Sequence, residues 1–140
     1  MGRTIEVVEL SLASKLSSAE KLSSAVKEYA GRVGFTEDEI NFIELAVHEA
    51  MINAIIHGNQ QADDKRVDVQ FQMEADALTV SIRDRGAGFS PEELPDPTDA
   101  DNLLKPSGRG IFFMRTFMDE VDYAAHPEGG SIVRLKKYRR

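Results

Sequence analysis

The sequence predicts an α+β two-layer sandwich, a mixed, mostly antiparallel sheet with helices packed on one face. Three observations predict it. Apolar and polar residues alternate over 4–12, 67–73, 77–84, 119–125 and 131–138, as half-buried strands require. Two long segments with helical apolar spacing separate the first strand from the second. Only Glu74-Ala75-Asp76 joins the second strand to the third, a hairpin-length connection. A chain of 140 residues reads as one domain, 1–140, with room for a substantial core.

The first strand is interrupted by Glu6 and Glu9, so a frayed arm is the alternative there. Ser14 or Ser17 can cap the first helix, with Glu20 in capping-box register to Ser17. This helix runs to about Arg32. It carries Leu16, Ala19, Leu22, Val26, Tyr29 and Ala30 near one stripe, and Gly31 and Gly34 end it. Thr36 caps the second helix, Glu39 completes another capping box, and Phe35 can staple to Ile40. The second helix spans about 37–57, with Gly58 and Asn59 as its C-terminal stop. One of its sectors holds Phe42, Leu45, Ala46 and Ile56, and the opposite one Ile40, Ile43, Val47, Met51 and Ala54. Only Asn41, Glu44 and His48 form a polar strip, so burial on most sides is expected. Residues 60–66 read as a loop. Asp84-Arg85-Gly86-Ala87-Gly88-Phe89 leads into twenty residues of little periodicity with Pro91, Pro95, Pro97 and Pro106. They read as a functional lid, about 89–108. A short helix over 111–118, a strand, the turn 126–130 and a last strand complete the chain. Five basic residues in 134–140 read as a solvated strand end rather than a binding patch.

Seventeen basic against 24 acidic residues leave a net charge of −7, which argues against general nucleic-acid binding. There is no cysteine, so thiolate chemistry and disulfides are excluded. His48, His57 and His126 are too scattered for a metal cluster, and His57 reads as a helix-end residue rather than a catalyst. No signal-peptide core and no run of ~18 apolar residues is present, so no membrane association and a cytoplasmic location are expected.

Three segments carry chemistry. Glu49 and Asn53 lie four apart on one face of the second helix, inside an apolar sector. A buried acid and amide need partners. Either they satisfy local backbone, or together they serve a hard cation and a proton transfer. Asp84-x-Gly86-x-Gly88 sits at a strand end, where the acid can accept from an exocyclic amine such as adenine's. Its glycines let a ligand approach the backbone. That pattern arises by chance only about 0.03 times in such a chain, whereas a bare Glu-x-x-x-Asn is common. Gly108-x-Gly110 opens a helix whose free N–H groups and dipole favour an anion.

In order and topology, these segments resemble the N box and the two glycine boxes of the Bergerat-fold ATPases, the superfamily of gyrase, heat-shock chaperone, histidine kinase and mismatch-repair ATPases. The likeness covers about Phe35 to the C-terminus. The nearest branch is the stand-alone anti-sigma factors that are serine/threonine protein kinases, similar in the Asn53-Ala-Ile-Ile-His-Gly wording and in Met114–Val121. The resemblance implies ATP and Mg²⁺ as cofactors, with Glu49 as general base and Asn53 as the Mg²⁺ ligand. Asp84 would bind the adenine amine, with Gly86 and Gly88 in the same wall and Ser131 sharing the adenine water. Gly108 and Gly110 would present N–H groups to the phosphates. Lys105 and Arg109 are the nearest cations: one would neutralise the γ-phosphate, or each merely solvates the lid. Arg85 is not a required ligand. The implied partners are a sigma factor and an anti-anti-sigma antagonist phosphorylated on serine, with homodimerisation through the first strand's edge. Two alternatives stay open: an ATP-dependent binding module without phosphotransfer, and a switch kinase that activates a phosphatase in a signalling cascade.

Overall fold

A computed structural model describes residues 4–59, 65–86 and 114–140. The alternating stretches form β1 (Thr4–Ala13), β2 (Arg66–Glu74), β3 (Ala77–Arg83), β4 (Glu120–Ala125) and β5 (Ser131–Tyr138). The helical stretches form α1 (Ser18–Val33) and α2 (Glu37–Asn53), and residues 114–117 are also helical. The strand order is β1-β2-β3-β5-β4, antiparallel in every pairing among the described residues. This is the two-layer α+β arrangement the sequence predicts.

Alternation sorts each strand's side chains. In β2, Val67, Val69, Phe71 and Met73 are buried, while Asp68, Gln70 and Gln72 between them stay partly open. Leu22 and Val26 of α1 join Ile43, Val47 and Met51 of α2 over Phe71, Leu78, Val80 and Leu135 in one core. Each such side chain contributes about 1.5–3 kcal/mol by leaving water. Tyr29 meets Phe71 with ring centroids 4.9 Å apart, tying α1 to the middle of the sheet.

Helix termini separate local chemistry from tertiary demand. At Thr36 the capping box forms in full. Thr36 Oγ1 accepts from the Glu39 N–H at 3.2 Å, and Glu39 Oε1 accepts from the Thr36 N–H at 2.9 Å. Gly34 ends α1 in the left-handed region at φ +100°, its N–H donating to Gly31 O while the Phe35 N–H reaches Ala30 O. Gly31 stays inside the helix.

The expected Ser17–Glu20 box does not form. Ser17 is itself helical, at φ −62° and ψ −22°, and its side chain makes no cap bond. The backbone bonds Ser18 N–H to Lys15 O and Ala19 N–H to Leu16 O lead the chain into α1 instead. Nor do Gly58 and Asn59 form a left-handed stop. The helix continues through a π turn over Ala54–Gly58, closed by the Asn59 N–H on Ala54 O at 2.8 Å, and Asn59 is right-handed.

A third difference concerns the faces of α2. The core and the sheet cover Ile43, Val47 and Met51, but Phe42 is 45% exposed and Leu45 39%. Among the described residues, the ring stacked on Phe42 is that of Phe117, at 4.8 Å. The side of α2 that leads down to Glu49 is therefore open rather than enclosed. No helix among the described residues is long and apolar enough to cross a membrane.

Candidate functional site

The site is built where the C-terminal half of α2 crosses the ends of β3 and β5. Ala50 and Ala54, beside Glu49 and Asn53 in the chain, face Ile82, Asp84, Tyr123, Ser131 and Val133 across a cavity of about 10 Å³. That is room for about one water molecule. Small residues on the helix let the strand ends approach it closely.

Asn53 is 1% exposed, and among the described residues neither its oxygen nor its nitrogen has a hydrogen-bond partner. Leaving such a group unmatched costs about 1–3 kcal/mol. An amide held this way suits an incoming hard cation, which its oxygen can ligate. The donor chemistry at this position therefore fits Mg²⁺. Tyr123 stands close by: burial pushes its phenol up, and the Asn53 amide and Arg115 draw it back. Its hydroxyl donates to Met114 Sδ at 3.7 Å.

Glu49 is half-buried, and burial pushes its carboxyl up, with the His48 side chain drawing it down. No hydrogen bond among the described residues restrains it. A carboxylate raised toward neutrality and free to turn suits proton abstraction.

Asp84 is held differently. It is 2% exposed, and burial pushes its carboxyl up against the opposing pull of two backbone bonds. Its Oδ1 accepts from the Gly86 N–H at 3.0 Å and the Ser131 N–H at 3.2 Å. Its own N–H donates to Ser131 O at 3.0 Å, extending the β3–β5 ladder by one residue. Oδ1 is thus fully occupied by backbone, which leaves Oδ2 for a ligand donor. Gly130 makes this possible. It lies at φ +84°, and a Cβ there would fall 2.1 Å from Asp84 O and 3.1 Å from its Oδ1. The Arg85 guanidinium pairs with Asp68 on β2, so this cation serves the sheet.

Of the residues singled out in the sequence, Asp84 and Ser131 line this cavity and Gly86 bonds to Asp84, while Glu49 and Asn53 lie next in the chain to its lining residues Ala50 and Ala54. Gly88, Lys105, Gly108, Arg109, Gly110 and the lid over 89–108 lie outside the described residues, as does the His57 side chain. Three residues near the site have no role at it in the sequence reading: Gly130, Tyr123 and Asn59, the last read only as a helix stop. The Gly129-Gly130 pair was a usable signal, since adjacent glycines in a hairpin mark positive φ. Tyr123 and Asn59 carry no such signal.

Among the described residues, this junction thus holds a buried amide without a hydrogen-bond partner, a half-buried carboxylate one helical turn before it and a carboxylate fixed by backbone at a strand end. The chain belongs to the family of histidine kinase-like ATPase domains, whose match spans residues 12–137. Within that family it is 34% identical over 128 residues to an anti-sigma F factor of Bacillus subtilis, covering 89% of this chain and 88% of that protein. A Clostridium beijerinckii anti-sigma F factor is 34% identical over 115 residues, covering 81% and 80%. A serine-protein kinase RsbW of Bacillus pumilus is 29% identical over 146 residues, covering 99% and 89%. The fold also matches a crystal structure of the RsbU and RsbW domains of a Mycobacterium tuberculosis protein, with a TM-score of 0.63 at 17% identity. That match covers 97% of this chain and 33% of the larger one.

Proposed function

We propose that this protein is an ATP- and Mg²⁺-dependent serine protein kinase that also acts as an anti-sigma factor. It phosphorylates a small anti-anti-sigma antagonist on serine, and the antagonist's phosphorylation state decides whether the kinase holds the antagonist or the sigma factor. The observation that carries this reading is a locked Asp84 at the end of β3 beside the helix turn that bears a half-buried Glu49 and, among the described residues, a buried Asn53 amide without a hydrogen-bond partner of its own. Relatives named anti-sigma F factor and serine-protein kinase support the partner classes. A cytoplasmic setting follows from those partners.

In this reading Asp84 Oδ2 accepts from the exocyclic amine of adenine, and Gly86 keeps the wall low enough for the base. Ser131 shares a water with Asp84, for which the small cavity between them has room. Asn53 would hold Mg²⁺ through its oxygen, and the ion when bound neutralises charge on the triphosphate. Glu49 takes the proton of the antagonist's serine hydroxyl. The serine oxygen then bonds to the γ-phosphorus, the bond from that phosphorus to its bridging oxygen breaks, and ADP leaves. Such transfer needs positioning and charge stabilisation more than covalent chemistry from the protein. Gly88, Gly108 and Gly110 complete the proposed nucleotide wall and phosphate cradle, with Lys105 or Arg109 as the cation. β1 forms one edge of the sheet, and its Val7 is 48% exposed, which supports homodimerisation through that edge.

The decisive test is phosphate transfer from labelled ATP to a candidate antagonist, run beside Glu49→Gln. The expected result is transfer by the wild type and its near-complete loss in the variant, with ATP binding retained in both. ATP binding without transfer by the wild type leaves a binding module. Equal transfer by both removes Glu49 from the base role alone.

A further inference from the structure

Asn59 is fully buried, and every polar atom of its side chain is used. Its Nδ2 donates to Ser14 Oγ and to Arg66 O, each at 3.1 Å. Its Oδ1 accepts from the Arg85 N–H at 2.6 Å. One planar amide thus joins the exit of β1, the entry of β2 and the peptide between Asp84 and Arg85. Its backbone closes the π turn that extends the helix bearing Glu49 and Asn53. Only an amide has an acceptor and two donors in one such group. Aspartate lacks the donors, and serine is too short to span both walls. The Asp84–Arg85 peptide is gripped from two sides, by Asn59 on its N–H and by Gly130 packed against its carbonyl oxygen.

We propose that Asn59 is a positioning residue: it docks the Asp84 loop onto the end of the catalytic helix and so sets the affinity for the nucleobase. This rests on Asp84 as the base-binding acid. Asn59 touches neither the base nor the reacting phosphate. It acts on the binding wall through the Arg85 peptide, so its loss weakens ground state and transition state alike. The expected signature is a change in ATP affinity with little change in kcat.

The test compares Asn59→Ala, Ser14→Ala and Asp84→Asn by equilibrium ATP binding and by kcat for antagonist phosphorylation. Asn59→Ala is expected to raise the ATP Kd about tenfold, the scale of one lost buried hydrogen bond. Its kcat at saturating ATP should move less than about threefold. Ser14→Ala removes one Nδ2 partner but keeps the Arg85 bond, so its Kd should stay at the wild-type value. On an Asp84→Asn background Asn59→Ala should add little, because both act on one wall. If the alanine variant does not fold, the milder Asn59→Ser is read in the same way. An unchanged Kd in the Asn59 variants beside a weakened Asp84→Asn overturns the proposal. So does an equal loss in Ser14→Ala, which marks a general loss of structure, or full additivity with Asp84→Asn. Undiminished binding by Asp84→Asn overturns the base assignment itself, and the proposal with it.

Discussion

Two carboxylates, Glu49 on α2 and Asp84 at the end of β3, are both pushed upward by burial. They differ in restraint. Asp84 spends one oxygen on two backbone N–H groups and lies against Gly130. Glu49 sits on the open side of α2 with no hydrogen bond among the described residues. A group that must recognise a ligand needs a fixed direction, and the extended β3–β5 ladder supplies it. A group that must move a proton needs a basicity nearer neutral pH and freedom to meet its donor. In the proposed mechanism the same desolvation serves recognition at a strand end and proton transfer on a helix face. Local hydrogen bonding decides which.

Breaking the comparison on the helix side should have the largest effect. Glu49→Gln is expected to lower kcat by about 10²–10⁴-fold, the usual contribution of a positioned base, with the ATP Kd unchanged. The pH dependence sharpens the same point. As the proposed base Glu49 would act as its anion, and its carboxyl is raised by burial, so kcat should climb as pH rises through a midpoint above the ordinary carboxylate range. That rising limb should vanish in the residual activity of Glu49→Gln; a limb that survives there belongs to another group.

On the sheet side, Gly130→Ala should cost about 3 kcal/mol, from overpacking against Asp84 O together with the strain of φ +84°. Gly129, its neighbour, has φ +100° but open space where a Cβ would go. Gly129→Ala should therefore cost only the backbone part, about 1–2 kcal/mol. Denaturant unfolding of the pair measures the difference, and equal losses would mean that the approach to Asp84 carries no energy. The smallest effect is expected far from both carboxylates. Thr36→Ala removes the capping box of α2 and should cost about 1 kcal/mol without altering ATP affinity.

Much of this was legible beforehand. Strand alternation, the Thr36–Glu39 box and the Gly34 stop are properties of neighbours in the chain, and each formed as read. The Glu49–Asn53 pair and Asp84-x-Gly86 were legible as candidates because their spacing alone sets the relative placement of their members. Ser17 had a capping side chain and a correctly spaced Glu20, yet backbone turns at 15–19 took over its role. Phe42 and Leu45 read as buried because composition cannot say which side of an apolar helix meets the sheet.

By itself, then, the sequence determined the elements, the antiparallel bias of the sheet and the family to which its motifs belong. These follow from patterns within a few residues. Only the tertiary structure decided how the side chains of the candidate site are held. Asn59 bonds to Ser14 across 45 positions and to Arg85 across 26, and Ser131 bonds to Asp84 across 47. No local pattern encodes such distant contacts. They arise when β3, β5 and the end of α2 converge, and that convergence makes Asn59 a clip and Gly130 a necessity.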